Sequence, residues 1–459
     1  MQRRDKPRWL AVSALAIVSM VASSCGTETP NTTTQPTATT QTAVDGSATT
    51  AGTQGDLSGE ISFQAFGDPA EVAVIQEVVA GFKERHPSAG VNIISVPSQS
   101  DHMSKLSASF AAGNPPDVWL LNYRRYGQFA AKNVIEPAGP LLDKSSIIKK
   151  DMYYPEPLKA FEYKGVLQCI PQNVSSLVVY YNKDLFAKNN VPLPTADWTW
   201  DDFLSAAQLL TVDIDGDGKN DTHGLGVPPQ LIRLAPFVWQ NGGEIVDDPE
   251  KPTTLTLSEP AAREAVQFFM DLQLVHKVVP NEAEEKGEEL ESRFMNGRLG
   301  MYMASRVATP NLRNIKGFEW DVAGLPQKKQ QASILHSDAY CISAASKNKD
   351  LAWAFVEYAQ SPEGQTRVAK LGRTVPSLRS VAESPAFLEP SAPPASSQVF
   401  LDAVPQMRLV PILSTWPQIE NTVNEEMERA FFGVVSIDEA IQTATDLTKP
   451  LFERGSSEK

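Results

Sequence analysis

An α/β fold built on parallel sheet is what this chain predicts, and three observations carry that reading. From Gly59 onward, short β-rich runs alternate with stretches whose apolar residues recur at helical spacing. Of 459 residues, 42% are hydrophobic and 21% charged, which is ordinary globular composition with room for two or three domains. A long β-rich run, residues 165–182, is interrupted by Pro171-Gln172-Asn173, which suits a chain crossing from one lobe to another.

In order, Ile61-Ser62-Phe63-Gln64-Ala65-Phe66 alternates like a strand, and Val74, Val78, Val79 and Phe82 form a helical stripe within 70–84. Residues 91–96 read as a strand. Residues 103–112 read as a helix stopped by Gly113-Asn114-Pro115-Pro116. Asp117-Val118-Trp119-Leu120-Leu121 is a buried strand, and another helix begins near Gly127. Further helices are expected near 200–210, 260–274, 348–371, 416–432 and 436–448, with a strand near 340–342. Ligands of such sheets bind beyond the carboxyl ends of the strands, which points to Gly67-Asp68, Gln99 to Asp101 and Asn122-Tyr123-Arg124.

The first 24 residues read as an export signal. Arg3, Arg4, Lys6 and Arg8 precede 14 almost wholly apolar residues, Trp9 to Ala22, too few to span a bilayer. Val21-Ala22-Ser23-Ser24-Cys25 resembles a bacterial lipobox, with Ala22 where Leu is usual. The resemblance makes Cys25 a lipidated first residue; ordinary cleavage after Ser24 leaves a free thiol instead. Residues 25–57 are then a lipidated cysteine and a linker rich in Thr, Ser, Gln, Ala, Gly and Pro, which cannot bury enough apolar surface to order itself. The net charge of −14 becomes −17 once the signal is removed. Such an acidic chain lacks the clustered cations that grip nucleic acid. Contact with a membrane is expected only through the anchor.

No GxSxG, HExxH or P-loop is present, and the five histidines are scattered. Catalysis has no support, and no cofactor is required. One acidic loop is specific: Asp213, Asp215, Asp217, Lys219 (through its carbonyl) and Asp221 fall at positions 1, 3, 5, 7 and 9 of a calcium-type loop, with Gly216 at 6 but Gly224 at 12. Either a structural Ca²⁺ or Asx turns hold such a loop. Polar side chains with aromatics at loop positions suit a polyhydroxylated solute, whose ring faces stack on Trp or Tyr while its edges need paired polar groups.

Six segments in order resemble the family 1 extracellular solute-binding proteins, the maltose-binding-like component of carbohydrate ABC importers. They are PPDVWLLNYRRYGQFAAKNVIEP, the stretch from GVLQCIPQNVSSLVVYYNKDLF to TWDDFLSAAQLL, WQNGGEI, FMNGRLGMYM, CISAASKNKDLAWAFVEYAQSPEGQ, and the helix of Trp416. The resemblance implies a two-lobe, type II periplasmic-binding-protein fold with the ligand in the cleft. Lobe 1 would span 58–172 plus 339–377, and lobe 2 would span 173–338 plus 378–455. Carried over by position, the ligand contacts would be Gly67, Asp68, Asp101, Asn122, Tyr123 and Arg124 from lobe 1 and Asn173 from the hinge. Lobe 2 would add Trp239, Ser305, Arg306 and Trp416, with His336, Ser337, Asp338 and Arg373 near the returning crossings. Leu121 stands where maltose sites carry an aromatic and Arg124 where they carry an acid, so the two arginines, Arg124 and Arg373, are expected to favour an acidic or phosphate-bearing solute over maltose. The resemblance also sets Cys169 and Cys341 on neighbouring strands, either paired as a disulfide or left as buried thiols. It implies a monomeric, lipid-anchored receptor that delivers solute to permease subunits. A secreted carbohydrate-active enzyme and a sensory receptor on the same frame are the alternatives.

Overall fold

The computed structural model describes residues 57–457. The signal segment, Cys25 and nearly all of the 25–57 linker lie outside the described residues.

The first strand shows how local pattern becomes architecture. β1 (Gly59–Phe66) buries Ile61, Phe63 and Ala65. Gly67 follows at φ +143, a conformation that side chains resist, and Asp68 caps the helix Pro69–Arg85 by accepting the Glu71 N–H at 3.0 Å. β2 (Ala89–Val96) pairs parallel to β1 from Gly59↔Ala89 to Phe66↔Val96. β3 (Val118–Asn122) is buried throughout and also runs parallel to β1. β4 (Ile135–Glu136) lies at the far edge of this sheet. β5 (Glu162–Tyr163) and β6 (Val166–Leu167) form a small hairpin, and β7 (Ile170–Pro171) returns to the main sheet.

The chain then leaves for a second sheet made of β8 (Leu177–Asn182), β9 (His223–Gly226), β10 (Leu299–Ser305) and β11 (Trp320–Ala323), in the order β11-β8-β10-β9. After β12 (Ser333–Ile334), β13 (Asp338–Ser343) lies in the first sheet between β3 and β4, and β14 (Met407–Arg408) pairs with β12. The first sheet therefore runs β2-β1-β3-β13-β4, with β7 also paired to β13.

Both sheets are mixed where alternation alone predicts parallel pairing. β13 is antiparallel to β3, from Asp338↔Asn122 to Ile342↔Val118, and β8 is antiparallel to β10 and β11. The reversed strands are those that follow a crossing between sheets, so they enter from the opposite end. Three segments run side by side there. Ser175 and His336 exchange backbone hydrogen bonds at 2.9 and 2.7 Å, and the Val174 N–H donates to the Val375 carbonyl at 2.9 Å.

Two helices differ from the sequence expectation. The 348–371 stretch divides into Lys349–Ala359 and Pro362–Ala369, because Ser361 caps a new helix opened by Pro362. The helix expected near Gly127 begins at Tyr123, capped by Asn122, whose Oδ1 accepts the Arg124 N–H at 3.2 Å. Cys169 and Cys341, both fully buried, are joined by a disulfide that closes a separation of 172 residues.

Candidate functional site

Beyond the carboxyl end of β1 the structure opens a cavity of about 560 Å³. Asp68 forms its wall on the side of the first sheet. From the second sheet's half come Tyr302 of β10, with Pro228 and Gln230 between β9 and the helix Leu231–Gln240. Glu285, Glu289, Leu290, Glu291 and Ser292 add the stretch around the short helices Glu282–Gly287 and Leu290–Met295, and Val307 and Asn311 lie just past β10. The wall thus draws on both sheets, as the strand-end rule for such folds anticipates.

On the first-sheet side Asp68 belongs to an ionic network, with further polar pairs at the neighbouring strand ends. Arg373, 8% exposed, donates Nη1 to Asp68 at 2.9 Å and Nε to the buried carboxylate of Glu71. Burial pushes Glu71 up, and Arg373 opposes it. Asn122 donates Nδ2 to Asp338 at 3.1 Å, and Asn173 accepts the Asp338 N–H at 2.7 Å. Burial also raises the Asp338 carboxyl, against these hydrogen bonds. Arg124 pairs with Glu420 of the helix Trp416–Phe431, and Arg125 reaches the same oxygen at 3.5 Å. Both arginines expected to attract an anion, Arg124 and Arg373, are thus paired with carboxylates in this structure.

On the other side the carboxylates have fewer partners. Asn311 donates to Glu291 at 2.7 Å, and burial raises Glu291. Glu285 has a buried Oε1 without a hydrogen-bond partner, and burial, helped by repulsion from Glu428, pushes it up to about 7. No Lys or Arg is among the described residues that line the cavity. Arg233, in the first turn of the helix Leu231–Gln240, stands close enough to feel Tyr302 and Arg124. Its Nε and Nη1 are buried without partners, and burial lowers it to about 10.

Of the residues carried over by position, Asp68 lines this cavity and several others support it. Gly67 makes the turn into Asp68; a Cβ there would meet the Glu71 side chain at 2.4 Å. Asp101 is exposed and closes the Ser98 cap of the helix Gln99–Ala111. The remaining expected contacts do not line this cavity, and each is held by its packing. Tyr123 is buried, its hydroxyl accepting the Val410 N–H at 3.4 Å. Trp239 sits on a helix buried almost all round, with the Arg408 guanidinium 4.9 Å from its ring. Trp416 heads the buried stripe of Ile419, Val423 and Met427. Arg306 is wholly buried between Phe387 and Phe400 and donates Nε to the Gly372 carbonyl at 2.8 Å. The Ser305 carbonyl accepts from Tyr180 at 3.1 Å, and Ser337 donates to the Asn173 carbonyl at 2.6 Å. His336 keeps a buried, unpartnered Nε2, and burial holds its pKa well below the usual value. Sequence reasoning missed Gln230, Tyr302 and the three glutamates; the FMNGRLGMYM segment, which holds Tyr302, was the nearest signal.

In the acidic loop, carboxylate oxygens of Asp213, Asp215 and Asp221 lie within 4.8 Å of one another. Asp213 accepts the N–H groups of Gly216 and Gly218 at 2.7 and 2.9 Å, and Asp221 accepts that of Ile214 at 2.7 Å. Asp217 instead accepts the Lys219 N–H at 2.8 Å.

Residues 77–395 match the family described as bacterial extracellular solute-binding protein. An ABC substrate-binding protein of Listeria monocytogenes, solved in complex with cycloalternan, superposes with a TM-score of 0.78 at 26% identity, covering 85% of this chain and 98% of that one. Maltose-bound MalE3 of T. maritima gives 0.73 at 22% identity, over 85% and 99%. The diacetylchitobiose binding protein DasA of Streptomyces coelicolor is 25% identical over 336 residues, 70% of this chain and 72% of that protein. The architecture is the two-lobe, type II periplasmic-binding-protein fold. With its cavity walled from both sheets and three segments crossing between them, the chain belongs to the bacterial extracellular solute-binding protein family.

Proposed function

We propose that this protein is the extracytoplasmic receptor of a carbohydrate ABC importer, which captures a sugar or related polar solute by closing its halves and hands it unchanged to a membrane permease. One observation carries the reading: a single cavity takes Asp68 from the first sheet's half and Gln230, Glu291 and Tyr302 from the second's, across three adjacent crossings. A solute touching both walls binds the closed arrangement more tightly than the open one, and that difference is all that can drive closure. The relatives that bind cycloalternan, maltose and diacetylchitobiose support a carbohydrate ligand.

The halves would be those expected from sequence, with the protein monomeric and held by a lipid on Cys25. No helix among the described residues is long and apolar enough to cross a membrane. A structural Ca²⁺ in the acidic loop, expected on Asp213, Asp215, Asp217, Lys219 and Asp221, would stiffen that loop.

Thermal-shift screening of the purified protein against mono- and oligosaccharides, sugar phosphates and polyols tests the reading. A solute at 100 times its Kd should stabilise by about 2.7 kcal/mol. Recovery of a cleaved sugar would overturn it in favour of an enzyme.

A further inference from the structure

The segment just past β10 gives Val307 and Asn311 to the cavity wall, and Val307 is 45% exposed. Arg306, the residue before them, is wholly buried. Its guanidinium lies between the Phe387 and Phe400 rings, 4.8 and 5.0 Å from their centroids. Nε donates to the Gly372 carbonyl at 2.8 Å and Nη1 to Ser397 Oγ at 3.2 Å, while Nη2 is buried without a partner. Both acceptors are neutral. Burial lowers the group's pKa to about 10, so it stays charged at neutral pH. Burying a charge against neutral oxygens is costly, and an apolar side chain would fill the same slot without that cost. The guanidinium is therefore explained by what its N–H groups hold.

Nε holds the entry to Arg373. Gly372 sits at φ +75, and a Cβ on it would meet Arg313 Nη1 at 2.5 Å, so two arginines of one segment enclose this turn. Arg313 is itself fixed, donating Nε to the Pro393 carbonyl at 2.8 Å and Nη2 to Glu389 at 2.6 Å. The next residue, Arg373, donates to Asp68 at 2.9 Å and to Glu71, and Asp68 is the cavity's wall on the first-sheet side. One unbroken series of bonds and contacts thus runs from Val307 on one wall, through Arg306, Gly372 and Arg373, to Asp68 on the other.

Resting on the receptor reading above, we propose that Arg306 is a positioning residue for solute capture. It touches no solute; by gripping the Gly372 carbonyl it sets where Arg373 holds Asp68 relative to Val307 and Asn311. A solute that bridges the two walls meets that spacing. A planar guanidinium fixed between two rings tolerates less displacement than a flexible single donor would.

Hydrogen exchange read by mass spectrometry on the purified protein, without solute, tests this in Arg306→Met, Arg306→Lys and Met427→Ala, the last a buried truncation in the helix Trp416–Phe431. In Arg306→Met, amides of 371–375 and of 66–73 should exchange at least about tenfold faster, because the lost grip frees Arg373 and with it Asp68. Arg306→Lys keeps one cationic donor for the carbonyl and should bring both segments back to within about threefold of the unmutated rate. Met427→Ala should leave both unchanged. Should Arg306→Met fail to fold, Gly372→Ala takes its place, since its Cβ forces the turn away from the two arginines, and the same two segments should respond. Acceleration confined to 305–313 and 385–400, or reproduced by Met427→Ala, overturns the proposal and makes Arg306 a packing residue only. Whichever of the mono- and oligosaccharides screened above gives the largest thermal shift should bind the Met variant, or its Gly372→Ala substitute, at least about tenfold more weakly, and Arg306→Lys to within about threefold of normal. Unchanged affinity despite faster exchange also overturns the proposal. Failure of every screened sugar to bind the unmutated protein overturns the receptor reading instead, and the exchange rates still decide whether Arg306 governs the Asp68 wall.

Discussion

Arg373 holds two carboxylates, Asp68 and Glu71, and Glu71 is 8% exposed, so removing the cation strands a buried negative charge. Arg373→Met should destabilise the fold by about 3 kcal/mol in urea melts and weaken solute binding; adding Glu71→Gln should restore much of the stability, since the stranded charge goes with it. His102 makes a second prediction. Wholly buried beneath β1, with Nδ1 3.2 Å from Gln64 Nε2, it has its pKa lowered by burial to about 4. The unfolded chain takes up a proton near pH 6.5 and the folded one does not. Its contribution is therefore full above pH 6.5 and is lost as pH falls toward 4, by about 3 kcal/mol in all. Chemical denaturation at pH 7 and pH 4.5 should show that slope, and His102→Gln should flatten it. Glu285 works the other way: its raised pKa makes stability decline as pH rises from 4.5 through 7, an effect Glu285→Gln should abolish. At this scale the sequence was a partial guide. Asp68 stood out because it follows a strand, whereas Glu285, Glu289 and Glu291 sit in a charged run, EAEEKGEELE, that reads as an ordinary solvated face.

Elements were more legible than side chains. Strand and helix follow from periodicities that packing then satisfies, as in β1 and the stripe of Val74, Val78 and Phe82. The tryptophans were less readable because periodicity cannot say which apolar face meets solute: Trp239 and Trp416 lie on helix faces turned into the core. The acidic loop gives a prediction of its own. Asp213 accepts two backbone N–H groups, so Asp213→Ala should cost about 1–2 kcal/mol in apo protein, read as a lower melting temperature in the presence of chelator. A further rise on adding calcium to the unmutated protein, absent in the variant, would identify a bound ion.

For the molecule as a whole, the two-lobe plan was readable from ordered segments, while the direction of β8 and β13 was not, because strand sense depends on where the chain re-enters a sheet. The same crossings predict motion. Solution scattering should show the radius of gyration falling on addition of a solute that raises the melting temperature, and a ligand that binds without compaction would argue against closure.

The bridge between Cys169 and Cys341 has a consequence for survival outside the cell. It fastens the chain on either side of the excursion that builds the second sheet. A protease that cuts an exposed turn within that excursion, such as the one at Gly216, would leave both fragments tethered. The nicked receptor should migrate as one band on a non-reducing gel and as two after reduction, and it should keep its solute until the thiols are released.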